Sequence, residues 1–191
     1  YFNGAQFNNQ PSGLLDLQTN AGFYHNTGSP ALVNNGTVRR SLSSGTFTLS
    51  VPFSNNPSGT LESQSGILAI TSAFTNRGLV RVQAGTVRLT GGGSMGGTST
   101  VDYGAVLDFA GGSFLLASDY DWGGTGFTGT ASGDVTLSGS IKRLFGWSGG
   151  RVRGSFAIAP NGVLSVSGPG AKQLTATITN AGTIKATGSG E

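Results

Sequence analysis

Phe74-Thr-Asn76-Arg-Gly78-Leu-Val-Arg-Val-Gln-Ala-Gly85-Thr-Val-Arg-Leu89 is the stretch that decides the fold. It holds two phrases in series. The first is an apolar residue, any residue, then Asn. The second is Gly, any residue, apolar, any residue, apolar. Both recur along the chain. The Gly-led phrase reads Gly45-Thr-Phe47-Thr-Leu49, Gly66-Ile-Leu68-Ala-Ile70, Gly85-Thr-Val87-Arg-Leu89 and Gly104-Ala-Val106-Leu107-Asp-Phe109, with starting glycines 21, 19 and 19 residues apart. The Asn phrase reads Phe7-Asn-Asn9, Leu32-Val-Asn34, Phe53-Ser-Asn55 and Phe74-Thr-Asn76. Leu32, Phe53 and Phe74 follow at steps of 21, and one more such step places Met95 next in that apolar column. A period near 20 with strand-like content is the mark of a solenoid.

Within each period the pattern alternates. Phe47-Thr-Leu49, Val80-Arg-Val82, Val87-Arg-Leu89, Val135-Thr-Leu137, Leu164-Ser-Val166 and Ile184-Lys-Ala186 set polar or small residues between apolar ones. That is the two-residue repeat of a strand with one buried face. Arg39, Arg81, Arg88, Arg153 and Lys185 then point to solvent. No run has helical length and period. Glycines mark the corners, where φ > 0 is needed. Asn34, Asn55 and Asn76 mark them too, since Asn tolerates the left-handed region and bonds its own backbone in turns. Stacked corners would align these amides into a ladder.

A single unit cannot bury its apolar face, so successive coils must stack and pair each strand with its copies above and below. Coils of 19 to 25 residues with uneven loops predict an all-β, right-handed parallel β-helix of roughly nine coils. At about 4.8 Å per coil that is a rod about 43 Å long. The phrase is interrupted between residues 110 and 153, which reads as an irregular insertion in a single domain spanning 1–191.

Composition agrees. Gly is 34 of 191 residues, about 18%, against about 7% on average. Charged residues are 10%, against roughly 25%. Aromatics at 9% and periodic apolar residues exclude a disordered chain. The absence of Cys excludes disulfides and thiolate metal sites. A net charge of +3 is too weak a basic field to suggest nucleic acid. No apolar run is long enough for a membrane-spanning helix.

The phrases at Phe74–Leu89, Gly104-Ala-Val-Leu-Asp-Phe-Ala-Gly-Gly112, Trp147-Ser-Gly-Gly150, Ala159-Pro-Asn-Gly-Val-Leu-Ser-Val-Ser-Gly168 and Ile178-Thr-Asn180-Ala-Gly182-Thr-Ile carry a resemblance. They resemble the Gly/Ser/Thr-rich repeats of secreted bacterial β-solenoids of the filamentous-haemagglutinin-like and autotransporter-passenger-like class. The resemblance covers about residues 13–188 and implies an extracellular or cell-surface rod, often adhesive. It brings no catalytic motif.

Candidate chemistry is sparse. Lys142-Arg143-Leu-Phe145-Gly-Trp147-Ser-Gly-Gly-Arg151-Val-Arg153 is the densest basic and aromatic cluster. Arg forks recognise carboxylate and sulfate, and a Trp face can stack on a sugar. Lys142, Arg143, Trp147, Arg151 and Arg153 are therefore the expected contacts to an acidic glycan. Otherwise Phe145 and Trp147 fill the core and the bases are ordinary outward positions. Asp119 and Asp121 are a close carboxylate pair before glycines, a candidate Ca²⁺ site lacking the remaining ligands of a calcium loop. Polysaccharide lyases also use β-helices, and Asp102, Asp108, Asp119 and Asp121 with Arg143 or Arg151 would imitate their acid and base set. His25, the one histidine, is read as a turn residue.

The leading expectation is a non-enzymatic structural or adhesive element needing no cofactor, with copies of itself or adjoining repeats as partners. Neither terminus shows an amphipathic capping helix. The chain is read as a segment of a longer rod or as a fibre subunit whose ends stack.

Overall fold

The computed structural model describes residues 1–130 and 132–188. It is a parallel β-solenoid of about nine turns, with no helix among the described residues. Coil 1 comprises β1 (Gln6–Asn9), β2 (Leu14–Asp16) and β3 (Gly22–Phe23). Coil 2 repeats the triplet as β4 (Ala31–Asn34), β5 (Thr37–Arg40) and β6 (Thr46–Leu49). In coil 3 these become β7 (Phe53–Asn55), β8 (Thr60–Ser63) and β9 (Ile67–Ile70). Coil 4 holds β10 (Phe74–Asn76), β11 (Leu79–Val82) and β12 (Thr86–Leu89). Coil 5 holds β13 (Gly93–Met95), β14 (Thr98–Val101) and β15 (Val106–Phe109). Then come β16 (Ser113–Leu116), β17 (Asp121–Gly124) and β18 (Phe127–Thr130) in coil 6. Coil 7 runs through β19 (Asp134–Leu137), β20 (Ser140–Ile141) and β21 (Leu144–Trp147). Coils 8 and 9 each fuse the first two strands into one nine-residue strand: β22 (Gly150–Ile158) before β23 (Val163–Val166), and β24 (Lys172–Asn180) before β25 (Thr183–Ala186).

Equivalent strands stack into three sheets, one for each strand of the coil. Each strand pairs in parallel with its copy one coil away, as Leu32 with Phe53 and Phe53 with Phe74. The inward residues form one continuous core that includes Val38, Leu49, Leu61, Leu68, Val80, Val87, Leu107 and Leu164. Phe53 and Phe74 stack within it at 5.1 Å between ring centroids.

The register corrects one expectation. Phe74 pairs with Gly93, and Met95 pairs with Asn76. The step at this coil is 19 residues because the corner after the first strand has shortened. Four residues separate β7 from β8, but two separate β10 from β11. Met95 therefore enters the Asn column and interrupts it, while the apolar column passes through Gly93 and resumes at Phe114.

Residues 110–153 are not looped out as an insertion. Strands β16, β17 and β18 pair with β13, β14 and β15, and β19 pairs with β16. The irregularity is one gap. The second sheet ends at β17, and β20 pairs instead with the far half of β22. Trp122 spans this gap, donating from Nε1 to the Leu144 carbonyl at 3.2 Å. Its ring lies 5.4 Å from Tyr120 and 6.1 Å from Phe145.

Candidate functional site

Three regions carry the chemistry read from the sequence: the Asn corner, the basic segment and the acidic corner. A fourth, the last coil, emerges from the packing.

The corner column is built as an amide ladder. Asn9 Nδ2 donates to Asn34 Oδ1, Asn34 Nδ2 to Asn55 Oδ1, and Asn55 Nδ2 to Asn76 Oδ1, each at 2.8 Å. Each Nδ2 also donates to carbonyls of its own or the next corner, such as Asn55 to Leu79 at 3.1 Å. All four residues are buried. Asn180 belongs to a different corner, where its Oδ1 accepts from the Gly182 amide.

The basic segment does not form one surface. Lys142 and Arg143 are exposed on the corner between β20 and β21. Arg151 and Arg153 lie on the first sheet, opposite Asp134 and Thr136 of the coil before. Arg151 Nε reaches Asp134 Oδ1 at 3.0 Å, and Arg153 bonds the other carboxylate oxygen. Desolvation pushes the Asp134 carboxyl up, but the two guanidinium bonds outweigh it and hold the group below its ordinary range. Trp147 is 6% exposed and donates to the Gly150 carbonyl at 3.2 Å, so its face is not offered to a ligand. The expected acidic-glycan platform is thus divided between two faces, its Trp internal and two of its bases already paired. A Trp in alternation with Phe145, two residues before it, is the signal for burial.

The acids are also dispersed. Asp102 lies on the corner between β14 and β15, and Asp108 is buried on the third sheet opposite Arg88. Asp119 and Asp121 alone come together, Asp119 on the corner between β16 and β17 and Asp121 at the start of β17, where they line an open groove of about 560 Å³ with Arg77. Among the described residues no group of three or more His, Asp or Glu side chains is placed to hold a metal. His25 is exposed, its Nδ1 2.9 Å from the Ser50 carbonyl.

Two features had no clear warning in the sequence. Arg40 stands on the same inward face of β5 as Val38, where alternation calls for an apolar side chain, and it is fully buried. Its guanidinium donates to carbonyls of Leu17, Thr19, Ser43 and Gly45 and to Asn20 Oδ1, at 2.6 to 3.3 Å. Desolvation lowers its pKa. Tyr120 is likewise buried, sharing a 2.7 Å hydrogen bond with Ser99, and burial raises its phenol pKa.

The two end coils differ. At the N-terminal coil, Phe2 packs on Phe23 at 5.1 Å and its amide donates to the Tyr24 carbonyl at 2.7 Å. This short flap covers part of the third sheet. At the last coil the apolar residues stand open. Leu174 is 48% and Ile184 46% exposed, with Ala176 and Ile178 half-buried beside them. Strands β24 and β25 also present 9 and 4 residues of backbone that pair on one side, to β22 and β23.

The fold and these surfaces define the chain as a parallel β-solenoid repeat protein. No family model, curated protein or solved structure matches it.

Proposed function

We propose that this chain is a non-enzymatic structural rod of the secreted, surface-displayed bacterial kind, extended end to end by adding β-coils to its last coil. The observation that carries this reading is the open edge formed by β24 and β25. Among the described residues it combines strand backbone paired on one side only with a half-exposed apolar strip. Leu174 and Ile184 mark it on the two strands. An edge of that kind is a template for another strand, and burying the strip returns about 25 cal/mol per Å² of apolar surface covered. The occupant is a further coil of the same three-sheet cross-section, from a second copy or from adjoining repeats of the same polypeptide. A head-to-tail contact of this type generates a fibre. The sequence resemblance supports the extracellular setting, and the dispersal of the acids supports a structural role over a lyase.

Sedimentation velocity across a hundredfold range of protein concentration tests the proposal. The expected result is concentration-dependent growth into elongated species, abolished by Leu174→Lys combined with Ile184→Lys. A chain that sediments as a monomer throughout would remove end-to-end assembly.

A further inference from the structure

We infer that the groove beside Asp119 and Asp121 is a binding site for a neutral, hydroxyl-rich glycan. This stands independently of end-to-end assembly, since the groove lies on the side of the rod.

Corner length makes the groove. The corner after the first strand has four residues in coil 3 (56–59) and in coil 6 (117–120), but two in coil 4 (77–78) and in coil 5 (96–97). Two long corners therefore flank two short ones. Pro57 forms one wall, Leu115, Asp119 and Asp121 the other, and Arg77 and Gly96-Gly97 lie between them. The volume of about 560 Å³ falls within the usual range of small-ligand clefts, roughly 300–1,000 Å³.

The two glycines of the floor differ in a telling way. Gly97 has φ +65°, and a Cβ there would stand 2.4 Å from the Gly78 carbonyl oxygen, so the backbone requires glycine. Gly96 has no left-handed φ. A Cβ there would meet the Asn76 carbonyl oxygen at 3.5 Å and the Asp119 carboxylate at 3.6 Å, which are ordinary contacts. The fold does not demand glycine at 96. Its bareness keeps the floor open next to a carboxylate.

The charges here differ from the two ion-paired carboxylates of the molecule. Asp16 is bonded by Arg39, and Asp134 by Arg151 and Arg153. Arg77, Asp119 and Asp121 converge on one concavity, yet their side chains make no hydrogen bond or ion pair among the described residues. Two carboxylates accept and one guanidinium donates. Sugar hydroxyls do both, so a run of ring hydroxyls satisfies all three groups. The net charge of these three groups is −1, which disfavours uronate or sulfated polymers. Leu115, 45% exposed, offers an apolar surface for the C–H face of a ring.

The test is an array of neutral hexasaccharides (cello-, xylo-, manno- and laminari-series) with oligogalacturonate, a heparin hexasaccharide and chitosan hexamer as charged controls. We expect binding to at least one neutral series. Asp119→Asn with Asp121→Asn, and separately Gly96→Leu, should each weaken it about tenfold or more, with melting temperature unchanged. Arg151→Ala should leave it intact. The inference fails if no neutral series binds, if hits are confined to charged oligosaccharides, or if the double Asp variant binds normally. Loss of binding in EDTA would also overturn it, by assigning the carboxylates to a metal ion.

Discussion

At the scale of the residue, Asn55 shows how one side chain can hold three coils. It accepts from Asn34 above, donates to Asn76 below, and donates again to the Leu79 carbonyl. Buried polar groups left without partners cost about 1–3 kcal/mol each. Asn55→Ala should therefore destabilise the protein by about 2–4 kcal/mol in urea unfolding. Asn56→Ala, one position away with a single part-buried bond to Asn35, should cost under about 1 kcal/mol. The ladder was legible because Asn recurs at a fixed offset from an apolar residue. Its end was not, because Met95 reaches the Asn column only through a corner two residues shorter. Arg40 was illegible for a related reason. Alternation places it inward beside Val38, and only the fold brings the carbonyls of Leu17, Thr19, Ser43 and Gly45 from two coils together to satisfy a guanidinium there.

At the scale of the element, stability in a stacked repeat is a sum over nearest neighbours. Strand β11 is flanked by β8 and β14, whereas β20 has two residues and pairs on one side with β22. The gap between β17 and β20 is filled by Trp122, Leu137, Ile141 and Phe156 around a void of about 10 Å³. The amides of Ser140 and Ile141 should exchange with deuterium well before those of Leu79–Val82, as hydrogen-exchange mass spectrometry or NMR would read. Equal protection would mean the gap is as tightly held as the ladder beside it. The sequence marked 110–153 as irregular because its Gly-led phrase fails there. It could not show that pairing persists, since pairing depends on backbone position and β16 to β19 keep theirs with different side chains.

At the scale of the whole molecule, sparse charge makes each pair count. The chain carries a formal +3 at neutral pH. Arg39, by its hydrogen bond, holds the Asp16 carboxyl below its ordinary value near 3.8, and Asp134 is likewise depressed. The unfolded chain therefore takes up these two protons at higher pH than the folded one. Stability from the pairs is complete above about pH 4 and is lost as pH falls through the lower folded-state values. Thermal melts should be flat down to about pH 4 and then decline, with a shallower decline for Asp134→Asn. The same acidification increases positive charge along the rod, so growth by end stacking should weaken in that range.

The sequence by itself determined the solenoid. Period and alternation are local properties, and only stacking of coils buries an apolar face repeated every 20 or so residues. It also determined the Asn ladder, the absence of helices among the described residues and the pairing of strands with their copies. The tertiary structure alone decided which side chains meet. Lys142, Arg143, Arg151 and Arg153 are neighbours in sequence and lie on different faces. Arg77 and Asp121 are 44 positions apart and line one groove. The reason is geometric. In a solenoid, a few residues carry the chain around a corner to another face, while a full coil returns it to the same face one step along the rod. Surfaces are therefore composed across coils, and the lengths of the corners decide which residues they contain.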